Sequence, residues 1–408
     1  MPSAGLNGLT RFKIAVPEEQ LRDLTQRLKN TRWPEDIGND DWFYGVNGSY
    51  LKDLVAYWID GFDWKAAEAK LNGYANYRVV LDSVPIHFLH VPGNGVAPKP
   101  LIMSHGWPWT YTDWGRVIGP LADPAAFGGD PVDAFDVIVP SLPGYGFSTP
   151  LPKPDTNFWK IADLFHRLMT ETLGNARYAA AGSDMGALVT GQLGHKYADS
   201  LYGIHLARGI PLNFFSGERP WDVTSARTVP AGVTPDIRDS ILAYQRRFAA
   251  HVAVHVLDSE TEAYGLSDSP VGMLAWILHR WRNWSDSHGD VESVFPRDHI
   301  LTNATIWWAT NSIRTSMRTY ANAARYPWVP SHDRKPPIEA PVGMTFLGFE
   351  NPPGVTTDQR VEAFKKSPDA AWYNAVFLKA YETGGHFAPF ENPEAIIADI
   401  RETFWPLK

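Results

Sequence analysis

From about residue 75 to residue 210, short apolar runs alternate with amphipathic stretches; the rhythm breaks from about 211 to 330 and resumes near 340. YRVVLDSVPIHFLHVPG alternates and turns as a hairpin does, and PKPLIMSHG is a short buried strand ending at a turn. FDVIVPSLPGYGFS and ARYAAAGSDMG supply two more strands, separated by FWKIADLFHRLMTETLG, a helical segment closed by Gly174. A further helix follows Met185. Strand, helix, strand, helix describes an α/β domain with a mostly parallel central sheet and crossover connections. After the break come a strand (APVGMTFLGFE), a helix, a strand (AVFLKAYETGGH) and a closing helix through 392–404. The intervening block is helical and rich in Trp, Arg and His. It interrupts one sheet domain, and the expectation is a helical lid inserted into the core and lying over it.

Residues 1–80 carry a different pattern. Pro17 opens PEEQLRDLTQRLKNTRW, acidic early and basic late as the helix dipole favours, with Leu21, Leu24 and Leu28 at helical spacing. SYLKDLVAYWIDGFDW puts Leu51, Leu54, Val55 and Trp58 on one stripe, and Ser49 is the expected cap. Such stripes are too short to form a large core alone, so the segment is expected to clasp a larger domain. The expected division is an amino-terminal helical and meander segment over 1–80, core over 81–210, lid over 211–330 and core again over 331–408.

Composition excludes several classes of function. Net charge is -8 with no clustered basic face, which argues against nucleic acid as a partner. The chain has no cysteine, so disulfides, thiol catalysis and Cys-ligated metals are excluded. No run of about 18 apolar residues is present, and MPSAGLNGLTRFKIAVPEEQ has neither the basic start nor the apolar run of a signal peptide. A soluble, cytoplasmic protein without a membrane partner is the expectation.

The strongest local motif is Gly-x-Asp-x-Gly at 182–186. A nucleophile elbow needs small residues on both sides, because the reactive residue sits on a strained strand-to-helix turn. With Asp184 at its tip the intermediate would be an alkyl ester. Ser183 is out of register, since Ala181 and Met185 would then occupy the glycine positions. A glycine-rich turn with an Asp capping the next helix would give the same pentapeptide. Three other residues add to the elbow reading. His105-Gly106-Trp107-Pro108 follows the buried strand PLIMSHG, where one oxyanion-hole amide (that of Trp107) would sit; the other would be that of Met185. His386, in TGGHFAPFENP, has the chain order of a triad base, and Glu350 ends the strand before it. Asp184, Glu350 and His386 each fall at the carboxyl end of an expected strand, the edge where open α/β sheets bind ligands.

Nearly end to end, the chain resembles an epoxide hydrolase of the microsomal type, an α/β-hydrolase. The likeness rests on FKIAVPEEQLRDLTQRLKNTRWP, the tract through Trp42, Tyr50, Trp58 and Trp64, SHGWPWTYTDW, PSLPGYGFSTP, AGSDMG, YGLSDSPVGMLAWIL, TIWWATNSIRTSMRTY and GGHFAPFENP. It implies Asp184 as nucleophile, His386 as base, Glu350 as its acid partner, and oxyanion amides from Trp107 and Met185. In such enzymes two lid tyrosines hold the epoxide oxygen. Tyr320 matches the second; the first falls at about His251, a departure that leaves His251, Tyr320 alone, or Tyr244 as alternatives. Met185 stands where many relatives carry Trp. The implied substrate is a small apolar or aryl epoxide, with Trp107, Pro108, Met185 and Trp308 lining the pocket, no cofactor and no metal. The amino-terminal arm could support a homodimer. A haloalkane or haloacid dehalogenase would use the same Asp but needs indole or amide donors for a halide, and Met185 removes one. A non-catalytic binding scaffold is the remote alternative.

Overall fold

The structure, a computed structural model, describes residues 8–216 and 232–406, without the side chains at 244–246 and 249. Its centre is a sheet of strands β1 (Thr10–Arg11), β2 (Asn76–Leu81), β3 (Val84–Val91), β4 (Lys99–Ser104), β5 (Phe135–Pro140), β6 (Tyr178–Ser183), β7 (Leu201–Ala207), β8 (Ile338–Leu347) and β9 (Tyr373–Tyr381). The spatial order is β1-β2-β3-β5-β4-β6-β7-β8-β9. β1, β2, β3 and β5 pair antiparallel, the expected hairpin being β2–β3, whereas β5, β4, β6, β7, β8 and β9 run parallel. β6 lies near the middle and is buried on both faces, which is why it is built of Ala179, Ala180, Ala181 and Gly182. Its partner β4 sets Ser104 opposite Gly182, so the residues after each strand emerge side by side.

Helices α1 (Glu18–Lys29), α2 (Gly48–Asp60) and α3 (Trp64–Leu71) precede β2; α4 (Gly115–Ala122), α5 (Phe158–Arg167) and α6 (Met185–Lys196) connect the central strands. Between β7 and β8 come α7 (Pro235–Leu257), α8 (Ser259–Asp268), α9 (Pro270–Trp284), α10 (Arg297–Thr310) and α11 (Ile313–Arg325). α12 (Thr357–Lys366) joins β8 to β9, and α13 (Ala388–Glu391) and α14 (Pro393–Phe404) close the chain. α6 is buried from Met185 to His195, as a helix packed beneath the middle of a sheet must be.

The apolar stripes read from the sequence are the buried faces: Leu24 and Leu28 in α1, and Leu51, Leu54, Val55 and Trp58 in α2. The cap differs. Asn47, not Ser49, caps α2, its Oδ1 accepting from Tyr50 N at 2.8 Å while its Nδ2 donates to Asn39 O at 3.0 Å. Asn47 wins because the preceding loop orients it with a second hydrogen bond, which local preference among Ser and Asn does not encode. The first helices reach the inserted ones directly. Arg27 meets Asp268 at 2.7 Å, Tyr57 Oη donates to Asp298 at 2.8 Å, and Trp58 Nε1 donates to Thr305 Oγ1 at 3.1 Å. No helix among the described residues is long and apolar enough to cross a membrane.

Candidate active site

Asp184 stands between β6 and α6 at φ 52°, ψ -130°, a conformation that costs a non-glycine residue strain and is kept at sites where geometry matters more than stability. Its neighbours must be glycine for lack of room. A Cβ on Gly182 would lie 2.4 Å from Gly186 O, and one on Gly186 would lie 2.2 Å from Ser104 O. A Cβ on Gly106 would fall 2.3 Å from Asp184 Oδ1. That close approach brings the amide of Trp107 within 2.7 Å of the same oxygen, to which it donates. Met185 is the first residue of α6, so its amide has no acceptor within the helix.

β8 and β9 deliver the other two groups. Leu347 pairs with Tyr381, Glu350 follows a turn after Leu347, and His386 follows Tyr381 through Gly384 and Gly385. His386 Nδ1 donates to Glu350 Oε1 at 3.0 Å, which leaves Nε2 3.1 Å from Asp184 Oδ2. The second approach is a charge contact rather than an aligned hydrogen bond, because Nε2 finds no acceptor in line with its ring. Asp184, Glu350 and His386 are 8%, 5% and 8% exposed. Burial alone would lower the imidazole, but the close contacts and charges of Asp184 and Glu350 outweigh it and hold His386 up at about 9. Burial would likewise raise Glu350; Arg208 at 3.4 Å, the His386 contact and Arg360 at 3.2 Å reverse that and keep its carboxyl well below the usual range. His386 thus lies between two buried carboxyl groups, with Arg208 and Arg360 behind Glu350.

The inserted helices form the facing wall. Tyr320 on α11 is fully buried, and its Oη has no partner among the described residues. Burial, then the charge of Asp184, pushes the phenol well above 10. His251 and His255 sit one turn apart on α7, with ring centres 5.9 and 4.8 Å from that of Tyr320. His251 lies flat on Trp107, 5.2 Å between centres and 4° between planes. Burial, then His255 and Arg280, holds His251 well below 6.5, so the ring is neutral and the protonated donor considered from sequence is not the resting form. Pro108 and Met185 are buried, and Pro108 O accepts from Trp307 Nε1 at 3.3 Å. Trp308 does not join them. It turns to the amino-terminal helices, where Arg27 lies 5.6 Å over its ring, because successive residues on α10 point about 100° apart. The side chain of Tyr244 lies outside the described residues.

Comparison with known proteins gives the family. A family model described as epoxide hydrolase N terminus matches residues 9–114, and one described as alpha/beta hydrolase fold matches residues 99–231. A putative epoxide hydrolase of Stigmatella aurantiaca is 35% identical over 405 residues, covering 98% of this chain and 86% of the relative. The chain belongs to the epoxide hydrolase family. Epoxide hydrolase 1 of Oryctolagus cuniculus is 30% identical, over 95% of this chain and 87% of that one. The fold is that of the Aspergillus niger epoxide hydrolase, with TM-score 0.77, 24% identity, and coverage of 100% of this chain and 98% of the other. The Bombyx mori juvenile hormone epoxide hydrolase is similar at TM-score 0.76 and 23% identity, over 98% and 94% of the two chains. These matches favour epoxide hydrolysis over dehalogenation.

Several residues of this enzyme's site escaped the sequence reading. Trp284 and Trp109 meet the His386 ring edge-to-face at 4.9 and 5.8 Å. Glu391 ties that loop to the end of α9, its Oε1 accepting from Phe387 N at 2.8 Å and its Oε2 from Asp286 N at 2.6 Å, while His386 N donates to Trp284 O. The one available signal was spacing: His251 and His255 are four apart, so they share a helix face.

Proposed function

We propose that this epoxide hydrolase converts an apolar or aryl epoxide to a vicinal diol through a covalent ester on Asp184. The observation that carries the reading is the pair of contacts on one carboxylate, with the Trp107 amide on Oδ1 and His386 Nε2 beside Oδ2. Oδ1, already held by an amide, is the oxygen that becomes the ester carbonyl; Oδ2 attacks a ring carbon. The carbon–oxygen bond of the oxirane breaks, and its oxygen takes a proton from Tyr320. The product is a hydroxyalkyl ester.

Ester formation neutralises Asp184 and removes its share of the pull that keeps His386 protonated. The imidazole then passes its proton, by way of solvent, to the Tyr320 phenolate that ring opening leaves, and becomes the base for the second step. Water, deprotonated at Nε2, adds to the ester carbonyl; the amides of Trp107 and Met185 bear the oxyanion, each such donor being worth about 3–4 kcal/mol. Collapse breaks the acyl–oxygen bond, the diol oxygen takes the proton of the newly added hydroxyl, and the carboxylate returns beside a protonated His386. Glu350, held ionised by Arg208 and Arg360, keeps Nδ1–H oriented throughout. Trp107 and Phe215 stand edge-on to the Tyr320 ring and Trp284 edge-on to Trp107, so the surroundings of the reacting oxygen are apolar.

A single turnover in oxygen-18 water, with enzyme in excess over styrene oxide, tests this. The label is expected in the peptide containing Asp184 and not in the first diol released. Immediate label in the diol would mean direct attack by water and would sink the ester mechanism.

A further inference from the structure

His255 is the buried polar group that the proposed chemistry leaves without a task. It is fully buried, on the same face of α7 as His251, and its ring is edge-on to both Tyr320 (4.8 Å, 82°) and Trp107 (4.4 Å, 87°). Trp107 is the residue whose amide binds Asp184.

The identity of its two nitrogens is fixed by a neighbour. The indole Nε1 of Trp276 lies 3.3 Å from His255 Nε2. An indole nitrogen can only donate, so Nε2 of His255 must accept and cannot carry a hydrogen. A neutral imidazole has one N–H, which therefore sits on Nδ1. The ring is neutral, since burial, then the charge of Arg280, holds it well below 6.5. His255 Nδ1 is a buried donor with no partner among the described residues. Leaving such a donor unpaired costs about 1–3 kcal/mol, which is tolerated where a ligand supplies the acceptor. Tyr320 Oη is unpartnered in the same way. His251 differs in orientation: it lies flat on Trp107 rather than edge-on.

We propose that His255, through Nδ1–H, is the second hydrogen-bond donor to the oxirane oxygen, beside Tyr320, and that Trp276 holds it in that tautomer. The assignment rests on the ester mechanism, in which charge develops on that oxygen only during ring opening. Tyr320 gives the proton; His255 shares the charge without releasing its own. Trp276 is a positioning residue, acting only through His255.

The two nitrogens of histidine can be tested separately. The Asn side-chain amide falls near the place of Nδ1, and that of Gln near Nε2. Rapid-quench single turnovers with styrene oxide read formation of the protein-bound ester and its hydrolysis as distinct steps. H255Q is expected to form the ester about tenfold or more slowly, H255N within about threefold of the native rate, and both to hydrolyse it at the native rate. W276F should fall between them. Nitrogen-15 NMR of the native enzyme, with the His255 ring assigned through its backbone resonances, should show that ring protonated at Nδ1 only, as His105 and His195 are by their own partners, and its N–H signal alone shifting on addition of 1-phenyl-1,2-ethanediol. The same signal should lose its single-tautomer character in W276F. Equal ester formation by H255Q and the native enzyme overturns the proposal, as does a ring protonated at Nε2. The NMR arm decides the matter even where a variant does not fold. Failure of the ester mechanism itself looks different, because no protein-bound ester would then form in any variant, H386Q included.

Discussion

Replacing Asp184 by Asn imitates the electronic change that the ester makes, in nearly the same volume. In the native protein His386 stands at about 9 because two carboxylates together outweigh burial, which is the largest single influence on the ring. Asp184 and Glu350 each act through a contact of about 3 Å and through charge. Removing one leaves the full cost of burial opposed by the other alone. The imidazole of D184N should therefore titrate more than about one pH unit lower, a change of over about 1.4 kcal/mol in the free energy of protonation. Histidine-selective NMR titration of both proteins reads this directly, with H386Q assigning the resonance. A stability consequence accompanies it. Since the folded value lies above the ordinary 6.5, the stability due to protonated His386 is fully present below pH 6.5 and is lost as pH rises through about 9. That loss is on the order of 3 kcal/mol in the native enzyme, and D184N should show a distinctly smaller one by urea denaturation over the same range. A His386 midpoint that is the same in both proteins would refute the claim that esterification switches the base on.

Other substitutions test the remaining parts of the site. H386Q should still be alkylated but not turn over, so its intact mass should rise by that of one styrene oxide; no adduct would count against His386 as the base. Y320F should slow ester formation by an order of magnitude or more while leaving ester hydrolysis untouched, which stopped-flow tryptophan fluorescence can separate. G186A places a methyl 2.2 Å from Ser104 O, a backbone atom that cannot swing aside, and should lower the urea midpoint by the equivalent of about 3 kcal/mol. Glu391 is pushed up to about 7 by burial, against the backbone hydrogen bonds it accepts. Its folded value lies above 4.5, so it weakens the fold as pH rises from about 4.5 through 7, and E391Q should flatten that part of the stability profile.

Local rules carried much of the site into the sequence. Gly182, Asp184 and Gly186 are legible because the elbow has a fixed five-residue spacing; the crowding on Gly182 comes from Gly186 O within the turn, whereas that on Gly186 comes from Ser104 O at the end of β4. Glu350 and His386 are legible because short apolar runs mark β8 and β9, and parallel strands place their carboxyl ends together whatever their side chains. The apolar faces of α1 and α2 follow from helical spacing in the same way. Packing decided what depends on partners distant in sequence. Asn47 caps α2 through its contact with Asn39; Trp307 rather than Trp308 turns inward because of how α10 meets the core. The charge on His386 comes from two carboxylates 202 and 36 residues away along the chain, with Arg208 and Arg360 steadying one of them. The single hydrogen on His255 is set by an indole on another helix. Sequence fixes which groups are present and which strand or helix bears them. Protonation, tautomer and orientation are properties of burial and neighbours, and these exist only once the chain has folded.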